Sequence, residues 1–178
     1  LRRALAAAAL ALAACGAPDE RSDWEREHEA RLVAEPATVL PPYPRPDRLI
    51  EFEVAAASAF RFFVDGASLN LGPDKVVRYV LVARSAAGAE TVTYEGMRCQ
   101  SGEVRIYAVG RDGAWAGRPG PWRAIEARSV QRWHNTLFRE YFCPQREPIA
   151  SVGEGVEALR RGGHPLAKDF SSDQPRAR

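Results

Sequence analysis

Residues 75–84 read KVVRYVLVAR, and this run limits the fold more than any other part of the chain. Apolar side chains fall on both alternating faces, which suits an interior strand buried on two sides. An interior strand needs neighbours, and the flanking sequence supplies them in period two. Ile50, Phe52 and Val54 alternate with Glu51 and Glu53, and Phe60, Phe62 and Val64 alternate with Arg61 and Phe63. Asp65-Gly66 is a turn signal leading to a short segment at 68–71 and then Gly72-Pro73-Asp74. Ser85-Ala86-Ala87-Gly88 reads as a hairpin connection to a strand at 91–99. Residues 103–109 follow, with Val104, Ile106 and Ala108 expected on one side, and the Gly/Pro-rich stretch 110–121 reads as a loop carrying Trp115.

Helical spacing then takes over. Val130, Trp133, Leu137, Phe138, Tyr141 and Phe142 form an apolar stripe, opposite Arg132, Asn135, Thr136, Arg139 and Glu140. Ser151 followed by Glu154 has the capping-box form, opening a short helix that stops at Gly162-Gly163. Strands first and helices after predict an α+β domain. Its meandering antiparallel sheet would be packed by a C-terminal amphipathic helix and a second short helix.

The amino-terminal residues carry a different message. Arg2 and Arg3 precede an apolar run over residues 4–14, the layout of a secretory signal peptide. That run is shorter than the about 17–25 residues a membrane-spanning helix needs. Leu12-Ala13-Ala14-Cys15 closes it and resembles a bacterial lipobox, in which the cysteine is lipidated and becomes the new amino terminus. Acyl chains anchor because each buried methylene contributes about 0.8 kcal/mol. Cysteine arithmetic agrees: the chain has three, and lipid on Cys15 leaves Cys99 and Cys143 as a disulfide pair in an oxidising compartment. Closing a loop of that length stabilises by about 4 kcal/mol in the chain-entropy model. Gly16, rather than Asp, follows the cysteine and leans the expected destination toward the outer membrane.

Residues 16–48 hold little packing material, being charged at first and Pro-rich from 36 to 46. The expected organisation is a leader at 1–14, a lipidated cysteine and tether at 15–48, the domain at 49–165 and a loose tail at 166–178. Residues 23–34 hold Trp24, His28 and Leu32 at helical spacing, but a tether is the simpler reading. Without Arg2 and Arg3 the chain carries 23 basic and 23 acidic residues, which removes the basic surplus expected of a nucleic-acid reader.

In order along the chain stand Asp23-Trp24-Glu25, PPYP at 41–44, FFVDGASLNLG at 62–72, VVRYVLVARSAAGAETVTYEGMRC at 76–99 and YFCP at 141–144. Through these motifs the chain resembles the CNP1-like family of bacterial envelope proteins. The resemblance implies an envelope location and brings no catalytic residues, cofactor or partner with it.

The residues alone offer few catalytic sets. No G-x-S-x-G elbow occurs. The three histidines, at 28, 134 and 164, lack zinc-helix spacing, so no metal or other cofactor is expected. Charged residues within strands are the better candidates. A two-residue hairpin loop would set Arg78 opposite Glu95, whereas a three-residue loop ending at Gly88 would set Arg78 opposite Gly96. Such a pair would serve structural specificity or, with Asp65, Arg98 and Trp115, line a groove for a polar ligand or peptide. The leading expectation is a lipid-anchored periplasmic domain that binds or scaffolds another envelope component without catalysis. Two alternatives stand beside it. One is an enzyme of envelope carbohydrate or lipid using Asp65 and Glu95 as general acid and base; the other is a purely structural envelope protein without a groove.

Overall fold

The structure is a computed structural model that describes residues 37–54, 59–117, 119–126 and 132–167. The leader, Cys15, the 23–34 segment, Val130 and most of the expected tail lie outside the described residues. Strands β1 (Leu49–Phe52), β2 (Phe60–Asp65), β3 (Asn70–Leu71), β4 (Val76–Ser85), β5 (Glu90–Arg98), β6 (Glu103–Arg111), β7 (Ala114–Ala116) and β8 (Arg123–Ala124) form one sheet. Its pairings are antiparallel and its main path runs β1-β2-β4-β5-β6-β7. The fold is α+β. The expected interior strand is β4, and its residues 76–82 are all buried.

Both flanks of this meander break at a turn. β2 and β3 lie in succession along one edge of β4, with the turn after Asp65 between them. Ser68 mends the gap: its hydroxyl donates to the Asp65 carbonyl at 2.7 Å and accepts from the Val80 amide at 2.8 Å. Serine here serves the backbone, as its position after a turn suggests. On the far side β7 and β8 both pair with β6. The expected loop at 110–121 therefore contains a strand. Asp112 and Gly113 have φ of 49° and 78°, and this two-residue turn reverses the chain so that Arg111 pairs with Ala114. Asp-Gly is among the strongest short hairpin signals, because both positions need positive φ.

One face of the sheet is covered by helix. Helix α1 (Arg132–Thr136) continues as a π-helical segment, Leu137–Phe142, in which the Cys143 amide bonds to the Phe138 carbonyl five residues back. Leu137, Tyr141, Phe142 and Cys143 are all buried there with Phe62, Val64, Val77, Tyr79, Leu81 and Met97. A disulfide joins Cys143 to Cys99 at the end of β5. Helix α2 (Val152–Arg161) adds Ala158 and Leu159 to the same core. Ser151 caps it by accepting from the Glu154 amide at 3.1 Å, and Gly162 ends it in the left-handed region.

The other face has a smaller core of Phe63, Val80, Val82, Val92, Tyr94, Tyr107 and Ala108. A bulge in the β5–β6 pairing adds Tyr107 and Ala108 to it: Tyr94 faces Ala108 while Glu95 faces Ile106, leaving Tyr107 as the extra residue. Ala108 thus leaves the face of Val104 and Ile106, contrary to the strict alternation expected. Tyr43 and Trp115 pack against this second core, so part of the expected tether belongs to the domain.

Candidate functional site

On the helical face, β5 places Thr93 and Glu95 two residues apart and therefore on the same side. The register puts Tyr79 of β4 directly opposite Glu95, and α1 lowers His134 onto them. His134 Nε2 stands 2.9 Å from one Glu95 oxygen, and the Thr93 hydroxyl donates to the other at 2.7 Å. Glu95 is 1% exposed and His134 4%, so the pair is almost wholly buried. Burial alone would push the Glu95 carboxyl up. The charge and hydrogen bond of His134, with help from the Thr93 hydroxyl, outweigh it and hold the carboxyl below its ordinary range. The Tyr79 phenol, fully buried beside this carboxylate, is pushed well above its ordinary value by burial first and by Glu95 second. Its hydroxyl completes no hydrogen bond of its own.

His134 also lines a cavity of about 340 Å³ between β6 and the 120–126 segment. Val104, Ile106, Pro121 and Ile125 give it apolar walls, and Arg123 and Glu126 add opposite charges. The size falls in the range of small-molecule sites, about 300–1,000 Å³. A histidine steered by a buried carboxylate is a well-placed hydrogen-bonding group for whatever enters. Among the described residues no serine, threonine or cysteine lines this cavity beside it. Nor do three His, Cys, Asp or Glu side chains gather as metal ligands would.

Arg78 and Glu95 do not meet. The hairpin has three loop residues, with Gly88 at φ 83°, and Arg78 stands opposite Gly96. The bulge register is therefore the one formed, and Arg78 falls on the second face while Glu95 falls on the helical one. Arg78 instead grips Asp74 through Nη1 at 3.0 Å and Nη2 at 2.5 Å, both side chains being almost wholly buried. Burial would raise Asp74, but Arg78 and the Val76 amide hold it below its usual range. Asp65 is likewise apart from Glu95. It pairs with Leu49 at the end of β2, on the second face, where its carboxylate accepts from the Ala67 amide at 3.0 Å. Burial pushes its carboxyl up, against that hydrogen bond and the charge of Arg48. The proposed acid–base pair of Asp65 and Glu95 is thus divided between two faces.

Arg98 and Trp115 do share the second face with Arg78. The guanidinium of Arg98 lies 4.1 Å from the Trp122 ring, and Arg105 lies 5.9 Å from the same ring and 5.4 Å from Tyr107. Arg78 stands 5.5 Å over Tyr107, which itself lies across Gly96, where a Cβ would come within 2.6 Å of the ring. Tyr94 continues the row from Tyr107 to Trp115. Guanidinium and ring alternate along the sheet, a surface suited to cation–π contacts.

Sequence reasoning passed over His134, Tyr107 and Trp122. The lack of zinc-helix spacing says nothing of the role His134 takes; a lone histidine within an apolar helix stripe, with a glutamate inside a strand, is the signal the sequence offers. Nothing in a single sequence marks the bulge that turns Tyr107.

Comparison with known proteins returns one finding: the sequence model of the CNP1-like family matches residues 28–160. No curated protein and no solved structure matches the chain.

Proposed function

The chain belongs to the CNP1-like family, and within it we propose a membrane-tethered periplasmic lipoprotein whose domain binds or scaffolds another envelope component without catalysis. The lipobox ending at Cys15 supports the tether, and Gly16 after it favours the outer membrane. The disulfide between the two remaining cysteines fits an oxidising compartment. The observation that carries the binding half is how the buried charges are paired. Glu95 is held by His134 and Thr93, and Arg78 by Asp74, so each serves its own partner. What remains toward solvent is a cavity whose walls are apolar and polar in similar measure, with Arg123, Glu126 and His134 among them, and a face of arginines and rings. Those are the features of recognition surfaces.

Intact mass and membrane fractionation of the full precursor, with and without Cys15→Ala, test the tether. Lipid mass and membrane retention, both lost in the variant, are the expected result. A soluble, unlipidated wild type would overturn it. Histidine NMR in a fragment screen tests the binding half: fragments that shift the His134 ring resonances support it, and a cavity deaf to every fragment opposes it.

A second reading is an envelope carbohydrate or lipid enzyme. Only His134, positioned by Glu95 at the cavity, favours it. Turnover of an envelope glycan or lipid that disappears in His134→Gln would select this reading over the first.

A further inference from the structure

Residues 37–45 cross the second face of the sheet as neither strand nor helix. Among the described residues, no backbone–backbone hydrogen bond ties 37–44 to the sheet. Side chains do the holding. The Trp115 indole N–H donates to the Pro41 carbonyl at 2.7 Å. The Tyr43 ring packs on Trp115 with centroids 5.3 Å apart. Its hydroxyl end rests on Gly110, where a Cβ would come within 2.6 Å. Gly110 is thus a seat for Tyr43 cut into β6.

Pro41, Pro42 and Pro44 bias this strap toward an extended polyproline conformation without internal hydrogen bonds. An indole donating to a proline carbonyl, with aromatic rings alongside, is how aromatic-lined grooves hold proline-rich peptides. The strap also leaves room. A space of about 410 Å³ borders it toward Arg78, and another of about 160 Å³ toward Tyr107 and Pro119. Val39, on the strap, is 83% exposed.

We propose that this face is a polyproline-binding groove, occupied in cis by residues 37–44, that takes a proline-rich segment of another polypeptide when the strap lifts. The lifted strap joins the tether and lengthens its reach by roughly 3 Å per residue. This inference does not depend on the His134 cavity.

The probe is a synthetic peptide of residues 37–48, added to the full chain in mild detergent and followed by the NMR signal of the Trp115 indole N–H. In the wild type the tethered strap competes at an effective concentration on the order of millimolar. Replacing it by Pro41→Gly, Pro42→Ser, Tyr43→Gly and Pro44→Ser therefore raises the peptide's apparent affinity by about tenfold or more. Adding Trp115→Ala to that variant abolishes binding. No binding to the strap-replaced chain, or binding indifferent to Trp115→Ala, overturns the proposal. If the four-residue replacement does not fold, Tyr43→Ala alone is used with the same expectation. If neither variant folds, the strap is core and the proposal fails. A wild-type dimer in sedimentation that Tyr43→Ala dissolves would mean that the occupant is a second copy, which also overturns it.

Discussion

The two faces of this sheet are built from the same strands yet held by different means. The helical face is closed by a disulfide, by a buried carboxylate–imidazole pair and by a core reaching from Phe52 to Leu159. The strap face has a smaller core, a row of guanidinium–ring contacts and a covering segment that the Trp115–Pro41 hydrogen bond and the Tyr43 ring help to fasten. The disulfide and the buried Glu95–His134 pair tie the helical face into the global fold, while the buried Arg78–Asp74 pair on the other face lies outside the strap. Among the described residues no backbone ladder holds residues 37–44 to the sheet, which makes the strap the place where the molecule opens locally. One face keeps the domain folded while the other is able to exchange what covers it.

The largest effect should come from breaking the staple of the helical face. Cys143→Ser, with Cys99→Ser to avoid a stray thiol, removes a cross-link closing a separation of 44 residues. The expected loss is about 4 kcal/mol of global stability, read by urea unfolding. Next comes Glu95→Gln, which leaves His134 with a weaker partner and should cost about 2 kcal/mol. This variant also carries a pH signature. The Glu95 carboxyl is held below its unfolded value, so its contribution is present above the unfolded value and is lost as pH falls through the folded one. The stability gap between wild type and Glu95→Gln should therefore close on acidification below the ordinary glutamate range. A gap that widened there would contradict the assignment.

On the strap face effects should be smaller and local. Tyr43→Ala removes an aromatic pair worth about 1 kcal/mol. It should speed exchange of the Trp115 indole proton about fivefold through an opening that stays nearly independent of denaturant, with a matching loss of about 1 kcal/mol in urea unfolding. An exchange that took on the denaturant dependence of global unfolding would erase the distinction between faces. Gly110→Ala, which drives a methyl group against Tyr43 and Val92, should act in the same direction as Tyr43→Ala. The exposed Arg61–Glu51 pair of β2 and β1 is the control: Arg61→Ala should leave stability unchanged in thermal unfolding.

Much of the helical face was legible in the sequence. The two-sided apolar run of β4, the stripe from Leu137 to Phe142, the Ser151 cap and the Gly162 stop each obey a local rule, and the structure follows them. The pairing of Cys99 with Cys143 followed from counting. The strap face was not legible, because its features depend on geometry rather than periodicity. A bulge shifts Tyr107 and Ala108 without leaving a mark in one sequence. A proline-rich segment looks like a tether until Gly110 and Trp115 are seen to receive it. The site divides in the same way: Arg98 and Trp115 do lie on one face with Arg78, but Glu95 belongs to His134 on the other. Asp112-Gly113 was readable as a hairpin, and the Gly/Pro-rich stretch around it obscured that signal.

Native-state hydrogen exchange on the intact chain tests the difference between the faces most directly. The Trp115 indole proton should exchange through a local opening that is nearly independent of denaturant. That opening should be about a hundredfold or more easier than the one exposing the amides of Leu81 and Cys143. The same opening free energy and the same denaturant dependence for all three would mean that the strap is part of a single cooperative core, and would contradict that difference.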